Sequence, residues 1–225
     1  LPPNYKTSTK TYPVIYMHDG QNLFDDKTSY AGEWEVDETL NALFRENGLE
    51  IIVVGIDNGA GKRMNEYSPW SNATYGKAEG EAYVEFIVNT LKPLIDKTFR
   101  TKSDRQYTAI MGSSMGGLIS HYAGLKYPTV FGKVGVFSPS FWYASSSFQF
   151  TATNSNLKNT KMYYLVGGKE GDTMVPNMKK MIALMKTKGF NAHNIFEKVV
   201  ADGKHTEAFW KNEFKEAILW MFAKE

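Results

Sequence analysis

The run Gly112-Ser113-Ser114-Met115-Gly116 places a serine with glycine two residues before it and two after it. A serine hydroxyl attacks a carbonyl only when it stands clear of the backbone and a neighbouring base takes its proton. The G-x-S-x-G spacing matters because a serine on a sharp strand-to-helix turn takes strained backbone angles that leave room for little beyond glycine at those positions. The context fits: Tyr107 to Met111 reads as a buried strand, and Leu118, Ile119, Tyr122 and Leu125 lie at helical spacing before Pro128 ends the helix. On such a turn the Met115 N–H points to where an oxyanion would form, and the new helix adds its positive N-terminal end. Covalent acyl chemistry on Ser114 is the implied reaction type; the plainer alternative is a glycine-rich turn carrying an incidental serine.

The base must be one of four histidines. His18 ends the first strand, His121 lies inside the helix after Ser114 and His193 precedes the last strand, so all three read as structural. His205 sits in Ala201-Asp202-Gly203-Lys204-His205, the loop leaving the carboxyl end of the last strand, on the same sheet edge as Ser114. An imidazole base needs a carboxylate on its other nitrogen, to fix the tautomer and stabilise the imidazolium. With the chain order Ser, acid, His, that carboxylate falls in Gly167-Gly168-Lys169-Glu170-Gly171-Asp172, where Glu170 is preferred and Asp172 is the runner-up. Asp202 is too close to His205 in sequence, and Asp57 comes too early. A second oxyanion donor belongs to His18-Asp19-Gly20-Gln21-Asn22, from the Gln21 or Gly20 N–H, with Gly20 letting the backbone approach a ligand closely. Aromatics gather after strand ends, and Trp34, Tyr67, Trp70 and Trp142 are the expected substrate-binding residues. Arg63 and Glu66 either hold a polar leaving group or pair with each other.

Apolar runs and helical patterns alternate around these residues. Strands are read at Val14–Met17, Ile51–Ile56, Tyr107–Met111, Val134–Phe137, Met162–Val166 and Ile195–Val200. Helices are read at Glu35–Asn47, Glu81–Phe99, after Ser114, at Val175–Lys188 with Gly189 as the cap, and at Glu207–Ala223. Continuously apolar strands separated by helices predict an α/β fold: a three-layer sandwich with a mostly parallel twisted sheet and helices on both faces, as one domain over residues 1–225. The segments 60–79 and 142–160 are rich in Ser, Asn, Thr and Gly, and read as irregular walls of a site beyond the strand ends.

Composition narrows the chemistry further. With 42% hydrophobic and 22% charged residues among 225, the chain reads as an ordinary soluble globular protein. Its net charge of +2 comes from dispersed lysines, so no nucleic-acid partner is expected. No apolar run reaches the roughly 18 residues that span a bilayer, so no membrane span is expected. The absence of cysteine removes disulfides, thiolate catalysis and the common structural zinc sites, and neither metal nor cofactor is expected. Gly59-Ala60-Gly61-Lys62-Arg63 lacks the frame of a phosphate loop, and there is no His-Glu-x-x-His. Compartment, cytoplasmic or exported with a leader removed, and oligomeric state are left open.

Taken together, Leu1-Pro2-Pro3-Asn4-Tyr5, the stretch from Tyr12 to Phe24, Asn65-Glu66-Tyr67-Ser68-Pro69-Trp70, Gly112 to Gly117, Phe137-Ser138-Pro139-Ser140 and His205 resemble the esterase family that includes enterochelin-type esterases, S-formylglutathione hydrolases, mycolyl transferases and feruloyl and acetyl-xylan esterases. The resemblance covers nearly the whole chain. It implies the α/β-hydrolase fold, a triad of Ser114, the acid after the fifth strand and His205, and an oxyanion hole from Met115 and the 18–22 loop. It also implies an edge strand or module ahead of Leu1. The expected activity is ester hydrolysis through an acyl-enzyme, on a small-molecule or carbohydrate ester such as an acylated carbohydrate or phenolic ester. The alternatives are acyl transfer on the same residues, or a non-catalytic carbohydrate-binding module on a hydrolase scaffold.

Overall fold

Successive side chains of a strand point to opposite faces, so a strand that is apolar throughout must be covered on both sides. In the computed structural model, which describes residues 1–154 and 159–222, this is the fate of the central strands. Strand β1 (Val14–His18) is buried at every position. It sends Ile15 and Met17 into one core and Val14 and Tyr16 into the other.

Helix α1 (Val36–Asn47) follows and leads to β2 (Ile52–Ile56). Next come the short α2 (Arg63–Glu66), α3 (Gly80–Phe86) and α4 (Lys92–Thr98), the last two joined through a π-turn at Ile87–Leu91. The expected long helix is thus nearly continuous, and the widened turn precedes Pro93, which has no N–H to give to a regular helix. The remainder alternates: β3 (Thr108–Ser113), α5 (Met115–Lys126), β4 (Lys133–Phe137), α6 (Ser146–Asn154), β5 (Lys161–Gly167), α7 (Met174–Thr187), β6 (Ile195–Val200) and α8 (Glu207–Phe222). The expected last residue of that final helix, Ala223, lies outside the described residues.

Among the described residues, all six strands are parallel, in the order β2-β1-β3-β4-β5-β6. One face carries α5, α7 and their neighbours over a core that includes Tyr16, Ile110, Val136 and Tyr164. The other carries α1 and α8, whose Leu43, Phe214 and Ile218 meet Ile15, Met111 and Phe137. The chain runs from β1 to β2 on one side and then returns to β3 on the other. The carboxyl ends of β1 and β3 therefore flank a topological switch point, where open α/β sheets leave a crevice.

Segment 142–160 departs from the irregular reading. Residues 146–154 form α6, because Phe148 and Phe150 pack on the core and the buried hydroxyls of Ser147 and Thr151 find carbonyl partners at Ala144 and Ser147, both at 2.8 Å. Serine and threonine are poor helix formers only while their hydroxyls compete for the backbone, and here burial settles that competition. Residues 155–158 of the same segment lie outside the described residues. Likewise 60–79 contains a 3-10 turn at Ala60–Lys62 and α2. Among the described residues no helix is long and apolar enough to cross a membrane.

Candidate active site

Ser114 occupies the turn between β3 and α5 with φ 59° and ψ −120°, a conformation that non-glycine residues avoid. A Cβ on Gly112 would lie 2.9 Å from the His18 ring and 3.0 Å from the Gly116 carbonyl carbon, so the turn closes only with glycine there. Backbone bonds hold the strain: the Ser114 N–H donates to the Phe137 carbonyl (2.9 Å), and the Ser114 carbonyl accepts from Leu118 (3.1 Å) and Ser140 (3.1 Å). Met115 opens α5, so its N–H is one of the first-turn donors without an intrahelical acceptor.

The loops after β5 and β6 bring Glu170 and His205 together, with Glu170 Oε2 2.8 Å from His205 Nδ1. The Glu170 side chain is fully buried, whereas the His205 side chain is 37% exposed. A carboxylate can only accept, so Nδ1 carries the proton and Nε2 keeps its lone pair. The second Glu170 oxygen accepts from the Gly167 N–H and the Ser138 hydroxyl, both at 2.6 Å. Asp172 is exposed and makes no side-chain hydrogen bond among the described residues, and Asp202 pairs with Lys169 at 2.5 Å. Ser114 and His205 line the same cavity, of about 770 Å³. Among the described residues no hydrogen bond joins them; the Ser114 hydroxyl instead meets that of Ser140 at 3.3 Å. Such bonds are often long before a substrate is present.

The loop after β1 faces the elbow: a Cβ on Gly116 would lie 3.3 Å from His18 Cβ and 3.5 Å from Asp19 Oδ2. Asp19 is left-handed (φ 56°), and a 3-10 turn follows at Gly20–Asn22. The Asn22 and Leu23 N–H groups bond back to Asp19 and Gly20. Those of Gly20 and Gln21 sit at the donor end of the turn. Gly20 is required by the packing of the loop: a Cβ there would lie 2.6 Å from Asp57 Oδ1 and 2.8 Å from the Ile56 nitrogen. Its close approach is to the end of β2.

Asp19 is the buried anchor of this loop. Arg63 grips its carboxylate through two bonds (2.7 and 2.9 Å) and Asn58 adds a third (2.6 Å), while the Asp19 N–H donates to the Tyr67 hydroxyl (2.9 Å). Burial works against the Arg63 charge, but the bonds to Asp19 outweigh it and raise its pKa. Of the two expected roles for Arg63 and Glu66, the mutual pair does not form, since Glu66 caps the Gly59 N–H instead (2.9 Å), while Arg63 also lines the cavity. His18 is fully buried with Nδ1 2.8 Å from the Tyr83 hydroxyl, and burial lowers its pKa to about 4. His121 is likewise internal, between Tyr164 and Thr151 at 2.8 Å each, whereas His193 is exposed.

None of Trp34, Tyr67, Trp70 and Trp142 lines the cavity. Trp34 is 4% exposed and stacks on Phe137 in the core, and Trp70 packs edge-on against Tyr122 and Phe150. Tyr67 is spent on Asp19, and Trp142 is 49% exposed beside Tyr143. Proximity to a strand end in sequence does not say which way a ring points. The walls instead include Asn58, Arg63, Met64, Tyr30, Glu207 and Trp210, none chosen for this role from sequence except Arg63. Burial raises the Glu207 carboxyl above the ordinary range. The only sequence signal for Trp210 is its place five residues past His205, in the first turn of α8.

The family model described as "Putative esterase" matches residues 1–221. The chain belongs to this esterase family. Membership makes it a carboxylic ester hydrolase, and the α/β sheet described above is shared with its structural neighbours. The esterase is 28% identical to the uncharacterized protein YbbA of Bacillus subtilis (strain 168), covering 100% of this chain and 91% of that protein. It is 26% identical to an endo-1,4-beta-xylanase/feruloyl esterase of Xylanibacter ruminicola over 84% of this chain, but spans only 24% of that longer protein. Among solved structures, an IroE-like serine hydrolase from Shewanella oneidensis superposes with a TM-score of 0.78 at 19% identity, over 100% of this chain and 75% of that one. The enterochelin esterase of Shigella flexneri gives 0.77 at 20% identity, over 96% and 52%.

Proposed function

We propose that the esterase cleaves its substrate through an acyl-enzyme on Ser114, with His205 as base and Glu170 as the carboxylate that holds it. The observation that carries this reading is the shared cavity: a strained, glycine-flanked serine and a histidine with its Nδ1 tied to a buried carboxylate open onto one space of about 770 Å³, a size ordinary for small-molecule sites. As Ser114 Oγ bonds to the ester carbon, its proton passes to His205 Nε2. The oxyanion is held by the Met115 N–H and by an N–H of Gln21 or Gly20. The tetrahedral centre then breaks its bond to the alcohol oxygen, which takes the proton from Nε2 as it leaves. Water repeats the sequence on the acyl-enzyme and returns the proton to Ser114 Oγ.

A polar wall of Asn58, Gln21, Arg63 and Glu207 beside Tyr30, Met64 and Trp210 suits a hydroxylated or phenolic ester of modest size. The named feruloyl and enterochelin esterases among its relatives support the same class. The test combines a fluorophosphonate probe with an ester panel: aryl esters of increasing acyl length, methyl ferulate and acetylated xylan. Mass spectrometry should find the adduct on Ser114, and Ser114→Ala should lose about four or more orders of magnitude in kcat. An unlabelled Ser114, or a Ser114→Ala variant as active as the parent, refutes the acyl-enzyme.

A further inference from the structure

The Phe137-Ser138-Pro139-Ser140 run has no part in the chemistry above, yet it touches both ends of it. The Ser140 N–H donates to the Ser114 carbonyl, and the Ser140 hydroxyl meets that of Ser114. Two residues earlier is Ser138, fully buried with φ 42°, in the left-handed region a serine occupies only when its surroundings compel it. The Ser138 hydroxyl donates to Glu170 Oε1 at 2.6 Å and accepts from the Trp210 indole N–H at 2.8 Å.

The donor inventory makes this chain directional. An indole nitrogen can only donate, so the Ser138 oxygen must accept and its one hydrogen is left to the carboxylate. Together with the Gly167 N–H, that hydrogen fixes Oε1, leaving Oε2 for His205 Nδ1 at 2.8 Å. The Trp210 ring also stands perpendicular to the His205 imidazole, with centroids 4.9 Å apart, which limits rotation of the imidazole.

Resting on the acyl-enzyme reading, we propose that Trp210 and Ser138 are positioning residues of this esterase: the indole locks the strained Ser138 turn, and that turn sets both the Glu170–His205 pair and, through Ser140, the nucleophile. Without the indole N–H the Ser138 hydroxyl is free to turn, Glu170 loses a fixed donor, and the imidazole loses its alignment with Ser114. Fully satisfied polar networks act as units, so removing either member should do nearly the full damage.

The test uses Trp210→Phe, which keeps a ring and loses the donor, Ser138→Ala, which keeps the strained backbone and loses the hydroxyl, and the double variant, each checked for the parental melting transition. The expected result is a fall in kcat of about ten- to a hundredfold for each single variant, with KM within about threefold, and a double variant no more than about threefold worse than the poorer single. The rate of fluorophosphonate labelling should fall in parallel. Unchanged kcat in a folded single variant overturns the proposal. So does a rise in KM alone, which would make Trp210 only a cavity wall, or losses that multiply in the double variant. Absence of labelling in the parent protein refutes the acyl-enzyme itself; a parent that labels alongside variants that label equally fast refutes the positioning chain alone. Independently of any variant, the Trp210 indole proton should exchange far more slowly than that of exposed Trp142, and equal rates overturn the bond to Ser138.

Discussion

The Tyr67 phenolic oxygen lies 2.9 Å from the main-chain nitrogen of Asp19, so an aromatic expected to hold substrate instead braces the loop opposite the elbow. That nitrogen belongs to a left-handed residue immediately before Gly20 and Gln21, whose N–H groups are the proposed oxyanion donors. Tyr67→Phe would leave a buried N–H unpaired at a cost of about 1–3 kcal/mol. The expected kinetic outcome is a kcat lower by about tenfold with little change in KM, since an oxyanion donor acts on the transition state. Steady-state kinetics on one aryl ester decides it; a raised KM at parental kcat would return Tyr67 to the substrate.

Glu170 and Asp172 are two residues apart, yet only Glu170 reaches His205. Glu170→Gln should reduce kcat by about three to four orders of magnitude, because an amide can turn its NH2 toward Nδ1 and stabilise the wrong tautomer. Asp172→Asn should behave as the parent. Comparable losses in both variants would mean the carboxylates share the role.

The two surface-or-core tryptophans separate cleanly. Trp142→Ala should leave activity on small aryl esters within about twofold, since the ring is exposed and off the cavity wall. Trp34→Ala should cost about 3–5 kcal/mol of stability by emptying a site stacked against Phe137. Urea midpoints and activity on the two variants test both statements, and a Trp142→Ala variant unable to turn over small esters would contradict the geometry.

Acid should weaken the fold through two neutral histidines. Burial lowers His18 to about 4 and His121 to about 3, from an ordinary 6.5. Above pH 6.5 both states bind no proton at these rings. As pH falls below 6.5 the unfolded chain protonates first, so stability falls across the interval down to the native values and levels off beneath them. Each ring accounts for a loss on the order of 3 kcal/mol by pH 4. Unfolding free energies at pH 7 and 4.5 should differ accordingly, with His121→Gln losing correspondingly less over the same interval; parental and variant profiles of equal slope would exclude the assignment.

Chemistry that depends on neighbours along the chain was legible in the residues themselves. The alternation of apolar runs and helical spacings specifies the parallel sheet, because burial on both faces demands it of each strand alone. Gly112-x-Ser114-x-Gly116 specifies a strained turn, because the clash of a Gly112 Cβ with the Gly116 backbone arises within five residues, although His18 in β1 crowds the same position. The loop rich in Ser and Thr at 142–160 hid α6, since only packing of Phe148 and Phe150 and the carbonyl partners of Ser147 and Thr151 repay its weak local preference. What tertiary structure alone decided is direction and partnership. The sequence left Glu170 and Asp172 as rivals and Arg63 with two partners; the fold gave His205 to Glu170 and Asp19 to Arg63 and Tyr67. It also turned four candidate binding aromatics away from the cavity and brought Trp210 into it. The reason is physical: spacing along a strand or helix tells which residues share a face, but hydrogen bonds between loops from different strands depend on where the sheet sets those loops in space.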